Sequence, residues 1–459
     1  MPGMTSEEPT MFNSDYCNEA GGLKDCYLTF EGAQSEWCLY CRGIASCNFC
    51  LDCLNCDFCE HCYGCIESRQ CQHSSYLFDC EQCHFSLFCT DCVNCNYCFG
   101  CANLRSKSHY FFNKPCASKE DFEKKVSHYL LDGEYWSRSW TNIDKQLDII
   151  MKPMHLFNTE NCSGDYLVNS KNYSLCFSCS DSEDCRYCDS LLGGTSNTDC
   201  YDVSNFGIGA HVCYECECVW GNPWVTNNAL FSWLCWQGSH LYYSYFCVAN
   251  CHHLFGCIGL KNKEYCIFNK HYTKLEYEKL VGKIVEHMQT SDERGEFFHP
   301  SLSPFPYNDT VAQEHMPLRR DEALQRWYIW QDMSYDPVIS SEVKTIDRRI
   351  PDVQLSMWTT QQWQQRDDND LLKQIFICQE SGRPFRMVKA ELDFYRHHQL
   401  PLPRKHPDVR HQERMGGKPR WQLLLRECDK TGNKILSSYD QSSVFQVYSE
   451  EAYNKFVYG

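Results

Sequence analysis

The chain has 459 residues, 36 of them cysteine, and a formal net charge of −17. This length allows about two to four domains, and the negative charge argues against a protein whose whole surface coats nucleic acid. The polar start lacks the apolar core of a signal peptide, and no apolar run of about 18 residues predicts a membrane span. We therefore expect a cytoplasmic protein, in which tandem C-x-x-C indicates metal binding or buried thiols rather than disulfides.

Residues 1–16 are predicted to be a flexible N-terminus, followed by a first cysteine-rich module at residues 17–131. Its 20 cysteines, from Cys17 to Cys116, are all separated by multiples of three residues. An α-helix has about 3.6 residues per turn and a strand alternates every two residues, so neither keeps this period on one face. The period predicts a β-solenoid whose chain bends every few residues and points one small side chain inward per side. A string of separate zinc knuckles is the competing architecture.

A linker is predicted at residues 132–160, and a second module at residues 161–290 repeats the first. The sequence FGCANLRSKSHYFFNK begins at Phe99, and the similar sequence FGCIGLKNKEYCIFNK begins at Phe255. Two copies of one long module are therefore predicted.

Each module is expected to end in a helix. Ser118 with Asp121, and Thr273 with Glu276, have the spacing of a capping box, and apolar residues follow at helical intervals. An amphipathic helix at this place would cover the apolar end of a repeat array.

The spacing of Cys176, Cys188 and Cys200 predicts coils of twelve residues, although coils of about eighteen would keep the same phase. Three interpretations of the thiols stay open: ligands of a structural metal such as zinc, free thiols filling a narrow core, or disulfides between stacked coils. The candidate metal ligands are Cys38, Cys41, Cys47, Cys50, Cys53, Cys56, Cys59, Cys62, Cys65, Cys89, Cys92, Cys95, Cys98, Cys101, Cys176, Cys179, Cys185, Cys188, Cys213 and Cys216.

Cysteine nearly disappears after residue 290, where proline, tryptophan and charged residues become more frequent. Residues 291–375 are predicted to form an irregular or helical connector. Helical segments are expected at Asp321–Trp330 and at Lys389–His398.

The segment ICQESGRPFRMVKAELDFYRHHQLPLPRKHPDVRHQERM, which begins at Ile377, resembles a zinc ribbon. In that pattern C-x-x-C-G-x-x-F precedes a helix, and L-P-x-P and C-P-x-C-R follow. Cys378 stands at the first ligand position and Ser381 at the second, while His406 and Val409 stand at the later pair.

The last segment, CDKTGNKILSSYDQSSVFQVYSEEAY, resembles a second ribbon of the C-D-K-C-G-K…C-E-E-C type. It keeps Cys428 but has Thr431, Ser449 and Ala452 at the other ligand positions. One or two ligands cannot hold a structural zinc ion, so packing alone is expected to maintain this fold. The expected fold class is mainly β: two tandem cysteine-rich β-solenoid modules, each capped by a helix, and a small α+β, zinc-ribbon-like domain at residues 376–459.

Over most of its length the chain resembles a group of cysteine-rich repeat proteins common in genomes of the candidate phyla radiation (Patescibacteria). The motifs that carry this resemblance are FGC…NK in both modules, NDTVAQEHMPL from Asn308, and PFR…LPLPRKHPD…RH. The resemblance implies a bacterial, cytosolic repeat protein with ribbon-like ends, and it implies no activity.

The first functional hypothesis is a non-enzymatic scaffold or adaptor that binds a protein partner or a second copy of itself. It is favoured because the sequence contains no glycine-rich phosphate loop, nucleophile elbow or H-E-x-x-H motif. A second hypothesis is a protein that handles thiols or metals.

The third hypothesis is contact with nucleic acid or the ribosome through a basic C-terminal stretch. Between Arg383 and Arg426 there are eleven Lys or Arg against four Asp or Glu, interleaved with aromatic residues. A solvated basic face that balances an acidic body is the simpler explanation. The candidate nucleic-acid-binding residues are Arg383, Arg386, Arg404, Lys405, Arg410 and Arg414.

Overall fold

A computed structural model gives the fold of the protein. It describes residues 10–52 (without 19, 31, 42, 43, 45 and 49), 74–130, 147–180 (without 173 and 174), 227–332 (without 233, 234 and 297) and 363–459 (without 364 and 398–401). The fold is mainly β, with a β-solenoid of about ten turns within residues 77–267 and a few helices. The predicted solenoid is thereby confirmed.

Most coils are twelve residues long, and some have eleven or thirteen, as between Leu156 and Leu167 or between Tyr245 and Ile258. Parallel bridges join Phe12 to Lys24 and Lys24 to Glu36, so the first coil already begins inside the segment predicted to be flexible. Each coil has four sides of three residues. We name the sides by the residues stacked on them in successive coils: side A holds His84, Asn96 and Ser108; side B holds Leu87, Phe99 and Phe111; side C holds Phe78, Thr90 and Ala102; side D holds Glu81, Val93 and Arg105.

In each side a left-handed residue at the second position turns the chain toward the next side. Trp37 has φ +57°, Tyr40 has φ +58° and Tyr97 has φ +53°. A conformation of this kind costs a residue other than glycine about 1–3 kcal/mol, so packing between coils has to offset it. The period of three in the sequence therefore reflects one bend for every three residues.

Two five-stranded sheets are formed by consecutive coils, each with four parallel strands and a short antiparallel one. The first sheet comprises β1 (Ser75–Phe78), β2 (Leu87–Thr90), β3 (Asn96–Phe99), β4 (Ser108–Phe111) and β5 (Lys114–Pro115). Between the sheets lie β6 (Ile150–Met151), β7 (Leu156–Phe157), β8 (Gly164–Val168) and β9 (Cys176–Ser180). The second sheet comprises β10 (Asn227–Leu230), β11 (Trp236–Tyr242), β12 (Val248–Phe255), β13 (Glu264–Ile267) and β14 (Lys270–His271).

A helix follows each of the two sheets, as the sequence predicts. Helix α1 (Lys119–Leu130) begins where the Asp121 backbone N–H donates to Ser118 Oγ at 3.2 Å. Helix α2 (Lys274–Thr290) begins with a complete capping box between Thr273 and Glu276.

The C-terminal part, which we take from Pro300 to Gly459, combines short helices with two β-hairpins, β15 with β16 and β17 with β18. The helix predicted at 321–330 is shorter in the structure, where α4 spans Arg320–Gln325. The helix predicted at 389–398 corresponds to α6, which spans Lys389–His397. The elements are α3 (Val311–His315), α4 (Arg320–Gln325), α5 (Asp368–Lys373), β15 (Phe376–Ile377), β16 (Pro384–Phe385), α6 (Lys389–His397), α7 (Pro407–Gly417), β17 (Leu424–Glu427), β18 (Lys434–Ser437), β19 (Gln446–Val447) and α8 (Glu450–Tyr458), with 3-10 turns at Pro300–Leu302 and Tyr307–Asp309.

The C-terminal part covers two sides of the first sheet. Phe376, Leu392 and Val409 belong to one apolar cluster with Leu87 and Phe99 of side B. A second cluster joins Phe78 and Ala102 of side C to Tyr439, Phe445 and Val447. Strand β19 also pairs in parallel with β6, so part of the segment predicted to be a linker is built into the sheet structure.

Candidate functional site: the thiol core and the outer sides of the solenoid

The described candidate thiols line the axis of the solenoid. Buried side chains include Cys38, Cys41, Cys47, Cys50, Cys89, Cys92, Cys95, Cys98, Cys101 and Cys176, each with an exposed fraction of 0%. Cys179 lies in β9, where only the backbone is described. The other candidates lie outside the described residues: Cys53, Cys56, Cys59, Cys62, Cys65, Cys185, Cys188, Cys213 and Cys216.

Most of the described axial thiols take part in hydrogen bonds with the backbone. Cys80 Sγ donates to the carbonyl oxygens of Phe78 and Cys89, both at 3.3 Å. The same sulfur accepts the backbone N–H of Cys92, one coil later, at 3.4 Å. A serine at the same kind of position acts alike, since Ser74 Oγ accepts the N–H of Ser86 at 3.2 Å.

This arrangement accounts for the backbone N–H groups of a side. The first residue of a side donates to the next coil, as Lys24 N does to the carbonyl of Ser35 at 3.0 Å. The second donates to the previous coil, as Trp37 N does to the carbonyl of Lys24 at 2.9 Å. The third N–H points toward the axis, where a side chain one coil earlier accepts it at several positions, as Cys80 does for Cys92 and Ser74 for Ser86. Cysteine and serine supply this acceptor, whereas the aliphatic side chains that also lie on the axis, such as Leu77, do not.

The thiol environment is that of a folded core. Burial raises the pKa of Cys80 and of Cys251, and it raises the pKa of Cys257 to about 11. In the described part of the chain, no three His, Cys, Asp or Glu side chains are placed to hold a metal ion together. Zinc binding by the cysteine runs, which continue outside the described residues, stays a prediction.

Two of the six basic residues expected to contact nucleic acid lie inside the protein. The guanidinium of Arg410 lies 2.8 Å from Asp52 and 2.9 Å from Glu391, and Arg414 lies 3.2 Å from Asp52. Arg410 also donates to the hydroxyl of Tyr395 at 3.0 Å. Burial opposes the charged form of Arg410, but the Asp52 carboxylate and the neighbouring groups raise its pKa well above the ordinary value. This network fastens α6 and α7 to side B.

The remaining four basic residues are partly engaged near the surface. Arg383 lies 2.9 Å from Asp408, and Lys405 pairs with Glu413 and with Glu380. Arg404 is half-buried and Arg386 is exposed. The structure therefore neutralises much of the basic stretch locally, and nucleic-acid contact stays a prediction.

A second polar network fastens the C-terminal part to side C. Asp91 accepts from Asn103 at 2.6 Å and lies 2.9 Å from the guanidinium of Arg105. Tyr453 of α8 donates its hydroxyl to Asp91 and accepts from Arg105 at 2.6 Å. The hydroxyl of Tyr458 accepts from Arg105 at 3.3 Å. Helix α8 is thus held by the guanidinium of Arg105 and the carboxylate of Asp91, which lie on successive coils.

A buried histidine joins three parts of the chain. His155 lies 3.0 Å from Asp79 of the first sheet and 2.9 Å from Asp165 of β8. Ser438 of the C-terminal part donates to Asp165. Burial lowers the pKa of His155, but the two carboxylates outweigh this effect and raise the pKa well above its ordinary value. The imidazolium form is therefore the one that this junction stabilises.

Comparison with family models, with curated proteins and with solved structures gives no match to this chain. None of the described helices combines the length and the apolar character needed to cross a membrane.

The two sheets carry equivalent ring stacks on side A. In the first sheet the rings of Phe85 and Tyr97 are 4.8 Å apart, and those of Tyr97 and His109 are 5.1 Å apart. In the second sheet His240, His253 and Tyr265 stack at 4.6 and 5.0 Å. The edge of Phe122 from α1 meets the first stack, and the edge of Tyr277 from α2 meets the second.

Sequence reasoning missed the residues that attach the C-terminal part, namely Asp52, Asp91, His155 and Glu391. Each is a single polar residue in a segment whose local pattern is unremarkable. The one available signal is the cluster of arginines, which the sequence explains as a solvated basic face or as a nucleic-acid surface, and neither explanation pairs them with carboxylates of the same chain.

Replacing Cys80 tests whether the thiols act as hydrogen-bond acceptors. In Cys80→Ala the N–H of Cys92 keeps no acceptor at this position, so we expect a loss of about 1–3 kcal/mol in the free energy of unfolding. Cys80→Ser keeps an acceptor and should lose clearly less. Urea unfolding of the reduced protein, followed by circular dichroism, gives both values. Equal losses in the two variants would contradict this role.

Replacing Arg410 tests the network on side B. Arg410→Met leaves the carboxylates of Asp52 and Glu391 buried with less compensation, which should cost about 3–5 kcal/mol of stability. Arg386→Met, at an exposed position, is the control and should change stability by less than about 0.5 kcal/mol. Adding Asp52→Asn to Arg410→Met should restore part of the loss; no restoration would show that the two residues are not coupled. Thermal and urea unfolding measure all three variants.

Proposed function

We propose that the protein is a non-enzymatic scaffold that binds a macromolecular partner on the outer sides of its solenoid. The observation that supports this most is the attachment of the C-terminal part, which uses polar networks and apolar clusters on sides B and C of the first sheet. The sides of these coils are therefore suited to hold folded segments. The axis of the described coils, by contrast, is filled with buried thiols, hydroxyls and aliphatic side chains.

The two sheets belong, in this proposal, to two tandem modules. The duplicated sequence, the equivalent ring stacks and a helix after each sheet support this. The modules differ on their outer sides, because Leu392 and Phe445 of the C-terminal part lie in apolar clusters with the first sheet, whereas the closing helix packs against side B in both sheets. Such differences would let one module hold the chain's own C-terminal part and the other a partner.

The C-terminal hairpins belong, in the same proposal, to two zinc-ribbon-like units. In the β15–β16 hairpin the N–H of Gly382 donates to the carbonyl of Cys378 at 3.0 Å, and the β17–β18 hairpin repeats this turn with Gly432 and Cys428 at 2.8 Å. Both glycines have left-handed φ angles, +67° and +72°. A helix that begins near each cysteine, α7 or α8, completes a unit of the ribbon type.

The surroundings of Cys428 support the ribbon interpretation most directly. Ser449, at the start of α8, donates its backbone N–H to Cys428 Sγ at 3.1 Å, and Ala452 donates to Ser449 Oγ at 3.4 Å. Burial favours the thiol, but hydrogen bonds from Thr431 and from backbone N–H groups outweigh it and lower the pKa of Cys428 to about 7. Hydrogen bonds thus gather the residues that occupy the ligand positions of a ribbon.

The triple variant Thr431→Cys, Ser449→Cys, Ala452→Cys tests this assignment. Four thiolates gathered around one point should bind one Co²⁺ ion in tetrahedral geometry. Visible absorption of the Co²⁺-loaded protein, with its ligand-field bands, measures this. Thr431→Cys alone, with two thiols, is the control and should give no such spectrum. Octahedral or absent binding in the triple variant would contradict the ribbon geometry.

Site-specific photocrosslinking tests the scaffold function. A photoreactive phenylalanine analogue placed at Phe85 on side A, or at Phe246 or Ile258 on side C of the second sheet, should form an adduct with one macromolecule in cells of the source organism. The same analogue at Lys373 of α5 is the control and should not give this adduct. Absence of a macromolecular adduct at all three solenoid positions would contradict the proposal.

A further inference from the structure

An apolar corner at the end of the second sheet has a covered counterpart in the first. Ile258 on side C is 61% exposed and Phe268 beside it is 68% exposed, whereas Ala102, at the position of Ile258 in the first sheet, is 2% exposed. The two corners are built alike. The side-chain amide of Asn113 hydrogen-bonds both backbone groups of Ala102, and that of Asn269 does the same for Ile258.

The apolar corner is continuous across neighbouring coils. Tyr245 and Ile258 face each other across a parallel bridge, and the ring of Tyr245 lies 6.3 Å from that of Phe246, which is itself exposed. Phe268 packs against the backbone of Gly256, where a Cβ atom would come within 2.6 Å of its ring. Gly256 therefore lets the ring lie flat on the coil, with its outer face open.

The rim of this corner is basic although the chain as a whole is acidic. Lys261, Lys263 and Lys270 are exposed, and none of them forms an ion pair with a carboxylate in the described part of the chain. Lys270 Nζ lies 5.3 Å from the centre of the Tyr272 ring. Two carboxylates lie near these lysines: Glu264 in sequence, and Glu276, whose pKa is lowered by hydrogen bonds from Thr273 and also by the charge of Lys270. An occupant of complementary charge is therefore an acidic one.

The covered corner of the first sheet shows what such an occupant offers. Arg105, at the position of Lys261, donates to the hydroxyls of Tyr453 and Tyr458 of α8, and its guanidinium lies 5.7 Å from the centre of the Tyr458 ring. Its charge is paired by Asp91 of the solenoid at 2.9 Å, whereas Phe246 stands at the position of Asp91 in the second sheet. An aromatic segment thus covers the first corner, and at the second corner a carboxylate for Lys261 has to come from the occupant.

We propose that the corner formed by Phe246, Ile258 and Phe268 binds an acidic segment with aromatic side chains from a partner protein. Its rings lie over the apolar centre, while its carboxylates pair with Lys261, Lys263 and Lys270. This inference rests on the proposed scaffold function, to which it adds the place of binding and the chemistry of the partner.

A random copolymer of glutamate and tyrosine is the probe, and the full-length protein is used. Fluorescence anisotropy of the labelled copolymer should show binding that weakens as salt concentration rises. Ile258→Asp and Lys261→Glu should each weaken binding by about tenfold, equivalent to about 1.4 kcal/mol. Leu425→Asp and Lys373→Glu, at exposed positions elsewhere, are the matched controls and should bind as the wild type does.

Four results would overturn the inference. The first is that the wild-type protein binds neither the copolymer nor an oligothymidylate. The second is that it binds the oligothymidylate with the same dependence on Ile258 and Lys261, which would assign the corner to nucleic acid. A concentration-dependent dimer that Ile258→Asp abolishes would assign it to a second copy of the chain. Photocrosslinks to a macromolecule at side A alone would remove this inference while leaving the scaffold function intact.

Discussion

The hydrogen bond from an inward N–H to the side chain one coil earlier is the constraint on which the structure depends. A coil of four three-residue sides leaves one N–H per side pointing at the axis, and a buried donor without an acceptor costs about 1–3 kcal/mol. Cysteine meets this demand at Cys80 and serine at Ser74, and each also donates to a carbonyl. Cysteine adds a larger, more apolar atom, which suits a dry axis better than a hydroxyl does.

The residues at the corners of the coils have strained backbones, and contacts between their side chains offset part of this strain. Left-handed residues such as Phe85 and Tyr97 are strained, yet their rings stack 4.8 Å apart with planes inclined by only 3°. Polar corners do the same with hydrogen bonds, as Asn13 donates to Asp25 at 2.6 Å. Equivalent side chains at the same corner of successive coils therefore contact each other, and these contacts offset the strain of each left-handed residue. For this reason the corners can hold residues other than glycine.

The repeating features could be predicted from the sequence, and the attachment of the C-terminal part could not. One bend for every three residues leaves a periodic signature, so the solenoid and the closing helices at Ser118 and Thr273 were accessible, whereas that signature fits coils of twelve or of about eighteen residues alike. The pairing of Asp52 with Arg410 joins residues 358 positions apart and leaves no local pattern. From the sequence the clustered arginines fit a solvated basic face or a nucleic-acid surface, although Arg410 and Arg414 are buried beside Asp52.

A solenoid this narrow assigns different roles to its inside and outside. The axis of the described coils holds buried thiols, hydroxyls and aliphatic side chains such as Leu77 and Leu254, so the proposed scaffold has to bind its partner on the four sides and at the corners. On the first sheet two sides are covered by the C-terminal part, and Arg105 and Asp91 mark the corner where α8 attaches. On the second sheet the same corner has exchanged Ala102 for Ile258 and Asp91 for Phe246, which removes the carboxylate and leaves a lysine beside open apolar surface. In the proposal of two tandem modules, the two copies keep one frame while their corner chemistry differs, as expected where one copy binds within the chain and the other binds outside it.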